Sequence, residues 1–261
     1  MKLTSPDKIV FTEPETTKQD VANYYELVAD RVLHYIKNRR LSVVRCPGGV
    51  DGNCHYRKNP DADTDSDIIT VSTVLELLQH VQMNTIEFHM YGAPEIMVFD
   101  LDPDDDITLA KLRQGVKDLK SILDELNLTS FLKTSGGKGY HIVVPFSNAA
   151  EGLFASFAVQ VAQLMEAKWP TRYTVNIRKE ARKGKIFVDY MRNSKGATFI
   201  APYSLRAKNG AAISCPIEWE ELSKIRPDDI TIKNIKGRLE TSVTWKEFSK
   251  VRSKQKLIKT Q

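Results

Sequence analysis

Three short stretches of this sequence carry side chains arranged for chemistry. In Glu95-Ile96-Met97-Val98-Phe99-Asp100-Leu101-Asp102-Pro103 an apolar run ends in two carboxylates one residue apart. Side chains alternate across a strand, so Asp100 and Asp102 share a face with their Cβ atoms ~7 Å apart, while Phe99 and Leu101 turn toward a core. Pro103 ends the pairing. Two carboxylates so placed repel unless a hard divalent cation lies between them, and all-oxygen ligation suits Mg2+ or Mn2+ rather than zinc. The plain alternative is a solvated strand end. A second apolar run, Lys185-Ile186-Phe187-Val188-Asp189-Tyr190, supplies a third carboxylate. Alone, Asp189 reads as a surface aspartate. Beside the other two it would complete the apparatus with which three carboxylates hold two metal ions ~3.5–4 Å apart for phosphoryl transfer. Between these runs lies Ser135-Gly136-Gly137-Lys138-Gly139-Tyr140-His141. Its glycines allow close backbone approach to an anion and are expected to expose N–H groups, and Ser135, Lys138 and His141 add hydroxyl, ammonium and imidazole donors. The alternative is a hairpin with glycines for turn geometry. Neither a Walker A loop nor G-x-G-x-x-G is present.

The histidines divide by context. His34 and His80 fall on predicted helices as surface or partly packed side chains, and His55 stands beside Tyr56 in a glycine-rich segment. His89 shares a strand face with Glu87, opposite Phe88 and Met90, so it either lines a site or is exposed.

The elements that must position these groups follow from periodicity. Apolar residues from Thr17 to Ile36 recur at helical spacing, with a threonine N-cap before Lys18. Leu41–Arg45 is a short strand that breaks into the turn-rich Cys46-Pro47-Gly48-Gly49-Val50-Asp51-Gly52. A polar stretch with Asp61, Asp63, Asp65 and Asp67 precedes a helix from about Ser72 to Val81. Strands are predicted at Glu87–Tyr91, Ile96–Leu101, Ser130–Thr134, Tyr140–Pro145, Lys185–Tyr190 and Ala197–Ala201. Helices are predicted over Leu109–Leu126 and from about Ala149 to Trp169. From Ser204 onward the chain is polar and basic, with only Ile213–Leu222 suggesting packed structure. Strands mixed with helices in this way indicate an α+β or α/β fold.

Composition narrows the class. The 261 residues, 41% apolar and 27% charged, have a mean hydropathy of −0.35, which excludes disordered, collagen-like and membrane-spanning chains. Thirty-eight basic against thirty-three acidic residues leave +5, a mild excess that permits a polyanionic partner without requiring one. Cys46, Cys54 and Cys215 are an odd count with no C-x-x-C pair, so no disulfide framework is expected and a reduced compartment fits. Zinc at Cys46, Cys54 and His55 is a weak option, since the spacing matches no common zinc motif. The N-terminal residues lack an apolar run with a cleavage site, so no export signal is read and a cytoplasmic location is expected.

Taken in order and spacing, Asp100-Leu101-Asp102, Ser135-Gly136-Gly137-Lys138-Gly139-Tyr140-His141 and Phe187-Val188-Asp189 resemble the three motifs of the archaeo-eukaryotic primase superfamily. The likeness is greatest to the polymerase domain of ligase D and its stand-alone relatives in prokaryotic non-homologous end joining. It runs from Leu3–Lys8 through Val44–Gly52 to Ala201–Arg206 and Trp219, nearly the whole chain. The resemblance implies one α+β primase-polymerase domain over residues 1–261, with mixed and antiparallel sheets flanked by helices. It implies a DNA repair polymerase that adds nucleotides to a 3′ end under template direction, prefers ribonucleotides and uses two Mn2+ or Mg2+ ions.

By the same resemblance Asp100 and Asp102 bind both metals, and Asp189 completes the one near the primer 3′ hydroxyl. Ser135, Lys138 and His141 hold the nucleotide's phosphates, with His89 and Arg206 assisting. Lys8 and Lys18 clamp a downstream 5′ phosphate. Arg45, His55, Tyr56, Lys58, Arg182 and Arg192 contribute to DNA binding. The implied partners are DNA with 5′-phosphorylated gaps or broken ends, nucleoside triphosphates, Ku and a separate ligase, with no membrane. Three departures from the family stand out. Val44 replaces a lysine often found before Arg45. His55-Tyr56 replaces a phenylalanine pair that stacks on template. The segment between Lys58 and Ile68 is short, which makes end synapsis more doubtful than nucleotide addition. A primer-synthesising primase, a non-catalytic end-binding adaptor and a metal-dependent nuclease are the rival readings.

Overall fold

A computed structural model describes residues 2–57, 68–92, 95–147, 153–241 and 245–257. The chain forms two compact units. The first comprises Met1–Tyr91, Thr198–Cys215 and Asp228–Ser242, and the second Gly92–Ala197, Pro216–Pro227 and Val243–Gln261. The architecture is α+β. No described helix is long and apolar enough to cross a membrane.

In the first unit, β1 (Ile9–Thr12) and β2 (Glu15–Thr17) form a hairpin leading into α1 (Lys18–Leu27). Thr17 caps α1 in a reciprocal capping box with Asp20, the arrangement the sequence suggests. The expected single helix is two: Val28 leaves helical angles, at φ −100° and ψ 8°, and α2 (Ala29–Ile36) restarts after it. The break keeps Val28, Val32 and Ile36 fully buried, so tertiary packing overrides an unbroken local pattern. A four-stranded sheet follows, in the order β11 (Thr198–Ile200), β5 (Thr85–Tyr91), β3 (Leu41–Arg45), β4 (His55–Arg57). Helix α3 (Val74–Gln82), capped by Thr73, packs on α1 and α2. Buried Tyr24 and Tyr25 donate to the carbonyls of Tyr203 and Ile86, so their rings fill the core without orphaning a hydroxyl.

The strand register corrects one expectation. β3 pairs with β4 antiparallel, with Arg45 opposite Arg45's partner His55, so the next residues outward, Cys46 and Cys54, are brought face to face. They form a disulfide with a Cα–Cα distance of 4.2 Å, against the expectation of no disulfide. Cys215 is buried and takes no part in a disulfide.

In the second unit a six-stranded sheet runs in the order β14 (Pro216–Ile217), β7 (Phe131–Thr134), β8 (Tyr140–Pro145), β6 (Ile96–Pro103), β10 (Ile186–Asp189), β9 (Tyr173–Thr174). All pairings are antiparallel except β10 with β9. Of the stripe predicted at Leu109, Leu112, Val116, Leu119, Leu123 and Leu126, helix α4 (Leu109–Glu125), capped by Thr108, buries the four middle members, while Leu109 is half-buried and Leu126, at the helix end, is exposed. Helix α5 (Leu153–Lys168) lies close to the predicted span. The early part of that prediction, and the aspartates at positions 61–67, fall outside the described residues.

The segment from Ser204 onward is more ordered than its polarity suggests. β12 (Ser204–Leu205) pairs with β13 (Ile213–Ser214), α6 spans Ile235–Thr241 and α7 spans Phe248–Lys254. Within the second unit, Trp245 stacks on Phe248, both rings meet Phe131, and the Trp245 indole donates to the Leu132 carbonyl at 2.9 Å. A few widely spaced aromatics anchor this segment, a pattern with no periodicity to read.

Candidate active site

The second unit's sheet sets four ionisable residues in one row. Lys133 on β7 pairs with His141 on β8, His141 with Asp100 on β6, and Asp100 with Asp189 on β10. Directly opposed residues in an antiparallel pair have side chains ~4.5–5.5 Å apart on one face. Asp102 follows two residues along β6 on the same face, opposite Phe187. Two stretches of sequence far apart in the chain thus bring together the three carboxylates singled out above.

Their charges are balanced by neighbouring bases. Arg192, on the short 3-10 turn Met191–Asn193 directly after β10, bridges Asp189 at 3.2 Å and Asp100 at 3.5 Å. Asn193 fixes that turn to β6, accepting from the Val98 N–H and donating to the Val98 carbonyl. Arg182 reaches Asp102 at 3.4 Å while lying over the Phe187 ring, 3.6 Å from its centroid. The Asp100 and Asp189 side chains are 16% and 13% exposed and Asp102 57%, so only Asp102 opens widely to solvent.

The environments push these groups apart. Burial raises the Asp100 pKa, but the charge and hydrogen bond of His141, with Arg192 and Lys133, reverse the effect and bring it to about 2. Burial first, then Asp100's own charge, raises Asp102 against the opposing arginines. Asp189 is raised by burial and by Asp100, against Arg192. Burial, followed by Lys133, lowers His141 despite the attraction of Asp100. At neutral pH the 3.5 Å His141–Asp100 contact therefore joins a neutral imidazole to a carboxylate and is not an ion pair. Its Nδ1 is buried without a hydrogen-bond partner, an orphaned polar atom that a ligand can satisfy.

The donor set fits a divalent cation: three carboxylates on adjacent strands, with a guanidinium standing as the cation between two of them. Among the described residues no three His, Cys, Asp or Glu side chains converge into a ready metal cage.

The glycine-rich loop between β7 and β8 differs from the expected nest of free N–H groups. The Ser135 hydroxyl accepts from the N–H groups of Gly137 and Gly139, at 3.0 and 3.2 Å, and the Gly136 N–H donates to the Pro227 carbonyl. The N–H groups of all three glycines in the loop are therefore already engaged. Lys138 is exposed and paired with Asp105 at 2.6 Å. Gly139 has a stricter role. A Cβ there would lie 2.6 Å from the Leu101 carbonyl, midway between Asp100 and Asp102.

In the first unit the remaining candidates form three groups. Lys18 is buried, donates to the Thr4 carbonyl at 3.1 Å, and has its pKa lowered by burial and by the Lys8 charge. Lys8 donates to the Pro47 carbonyl. Arg45 is lowered by burial and by Arg57, and His80 is lowered to about 4 by burial and by Arg45. His89 bonds Glu87 at 2.7 Å, and Arg206 bonds the same carboxylate at 3.1 Å. His55 and Tyr56 are exposed on β4, and the Tyr56 ring meets the His89 ring edge-on at 5.4 Å. Lys58 lies outside the described residues. Sequence reasoning missed Lys133, Arg57 and the bridging position of Glu87. Only Glu87 left a trace, its shared strand face with His89.

The chain resembles known proteins along nearly its whole length. A protein-family model for the LigD primase-polymerase domain matches residues 17–246. The multifunctional non-homologous end joining protein LigD of Pseudomonas aeruginosa is 32% identical over 248 residues, covering 87% of this chain and 30% of that protein. The bifunctional LigD of Bacillus subtilis is 30% identical over 263 residues, covering 92% of this chain and 42% of that one. The chain thus spans well under half the length of these curated relatives. The solved polymerase domain of Mycobacterium tuberculosis ligase D, in complex with DNA, superimposes with a TM-score of 0.85 at 27% identity, covering 95% of this chain and 97% of the other. With motifs, fold and alignment in agreement, the chain belongs to the LigD primase-polymerase domain family.

Proposed function

We propose that this chain is a DNA repair polymerase of non-homologous end joining, a nucleotidyltransferase that extends a DNA 3′ end under template direction. The observation that carries the reading is the register of Asp189 opposite Asp100, with Asp102 two residues along the same face. Asp100, Asp102 and Asp189 would hold two Mn2+ or Mg2+ ions, which supply charge neutralisation and positioning for in-line displacement at the nucleotide's α-phosphate.

The chain's own residues prepare that step. Arg192 and Arg182 favour the ionised form of the carboxylates they pair with. His141, buried with its Nδ1 lacking a hydrogen-bond partner, is assigned to the nucleotide's phosphates. Lys138, released from its exposed pairing with Asp105, adds a mobile positive charge. Ser135 holds the hairpin that carries both. His89 and Arg206 are assigned to the triphosphate as well.

For DNA, we assign Lys8 and Lys18 to a 5′ phosphate and Arg45, Lys58, Arg182 and Arg192 to backbone contacts. The exposed rings of His55 and Tyr56 are assigned to the template. Ribonucleotide preference, Ku and a separate ligase as partners, and a cytoplasmic, nucleoid-associated location belong to the same proposal.

The test is gap filling on duplex DNA with and without a downstream 5′ phosphate, comparing ribo- and deoxyribonucleoside triphosphates with Mn2+ or Mg2+. Extension that favours ribonucleotides and the phosphorylated gap is expected, and Asp100→Ala abolishes it while DNA binding persists. Binding without incorporation would favour an end-binding adaptor, and shortening of the labelled strand would favour a nuclease.

A further inference from the structure

We propose that Glu87 is a positioning residue for the nucleotide's triphosphate, holding His89 and Arg206 as one preformed cationic clamp. The inference rests on the assignment of those two residues to the nucleotide and adds a group which that assignment does not contain. β5 places Glu87 and His89 on the same face, opposite Val44 and Ser42 of β3. The two Glu87 oxygens are divided between partners. Oε2 bonds His89 Nε2 at 2.7 Å, whereas Oε1 accepts from Arg206 Nε at 3.1 Å and from the Ala207 N–H at 2.7 Å.

Exposure rises outward from the carboxylate, from 8% for the Glu87 side chain through 14% for His89 to 28% for Arg206. The anion forms the buried base and its two basic partners form the accessible face. Burial raises the Glu87 pKa, but the hydrogen bond from His89 and the charges of Arg206 and His89 bring it down to about 2, so the base stays ionised. Fixing Arg206 through Nε orients the pair of terminal nitrogens with which a guanidinium forks a phosphate. Fixing His89 through Nε2, with the Tyr56 ring edge-on against it, sets the imidazole plane. Two side chains held by one carboxylate lose little freedom when a polyanion arrives, which favours tight binding of the phosphate tail.

The experiment measures binding of ATP, ADP and AMP by calorimetry, with Mn2+ present, to the wild type and to Glu87→Gln, Glu87→Asp, His89→Ala and Arg206→Ala. The wild type should bind ATP at least ten-fold more tightly than AMP. Glu87→Gln should reduce that ratio at least five-fold with AMP affinity unchanged, and Glu87→Asp should give an intermediate ratio. A merely structural role would weaken all three nucleotides together. If Glu87→Gln does not fold, Glu87→Asp carries the test, because it keeps the charge and shortens the reach by one methylene. The proposal is overturned if the Glu87 variants keep the wild-type ratio while His89→Ala and Arg206→Ala lose it. If neither of those two variants changes the ratio, the nucleotide assignment fails and the proposal with it.

Discussion

Replacing Gly139 by alanine adds one methyl group and tests the packing that holds the carboxylate strand in place. Gly139 is not among the glycines with positive φ, so alanine meets no dihedral penalty there. Its Cβ would stand 2.6 Å from the Leu101 carbonyl oxygen and 3.7 Å from Asp100 Oδ1. An ordinary contact of that kind begins near 3.4 Å, so β6 and the β7–β8 hairpin must separate by roughly 0.8 Å, and overpacking of this sort costs about 1–3 kcal/mol. At 2–4 °C per kcal/mol for a chain of this size, the melting temperature should fall by roughly 2–12 °C. The displacement falls on the peptide between Asp100 and Asp102, and a misplacement near 1 Å can lower a rate by about 100-fold. Gly237, with nothing within 4 Å of its Cβ position, is the control: Gly237→Ala in α6 should be neutral or stabilising. Thermal melts and single-nucleotide addition rates on the three proteins decide the matter. A Gly139→Ala protein that melts and extends primers like the wild type would refute the reasoning.

Three further outcomes follow from the same structure. Asp189 is held ionised against burial and against Asp100, so its folded pKa is raised and its charge opposes folding at neutral pH; Asp189→Asn should raise stability by up to about 1 kcal/mol while lowering nucleotide addition at least ~100-fold. His80 is depressed from 6.5 to about 4, so the unfolded chain binds more protons than the folded one between those values and stability falls as pH drops through that window. Allowing for its partial exposure, the loss is roughly 2 kcal/mol, and denaturant midpoints at pH 7 and pH 5 should converge in His80→Gln. Reducing the Cys46–Cys54 bridge, which closes a separation of 8 residues, should destabilise the first unit by about 2.5 kcal/mol in the loop-entropy account. Alkylation of all three cysteines in unreduced, denatured protein would contradict the bridge.

What the sequence conveyed followed physical locality. The D-x-D strand end, the hairpin glycines and the α4 stripe are decided by neighbours within a few residues, and the structure forms each of them. The approach of Asp189 to Asp100 depends on strand order, which no local pattern encodes, so it was legible only through family resemblance. Glu87's double role depends on Arg206, 119 residues away, in the same way. The disulfide was legible in principle. Once β3 and β4 pair with Arg45 opposite His55, the flanking cysteines must meet, but cysteine counting takes no account of register. The loop's N–H groups were misjudged because glycine content shows that a backbone can approach an anion, and it does not show that Ser135 already occupies two of those donors. The ordered C-terminal segment escaped because its anchors are isolated aromatics.

The central claim is tested most directly by crystals of the protein soaked with Mn2+ and a non-hydrolysable ribonucleoside triphosphate, with anomalous scattering recorded at the manganese edge. The account predicts manganese peaks ligated by Asp100 and Asp102, one also by Asp189, with Arg192 withdrawn from between Asp100 and Asp189. Manganese bound elsewhere, with nucleotide present and Arg192 still bridging those two carboxylates, would contradict it.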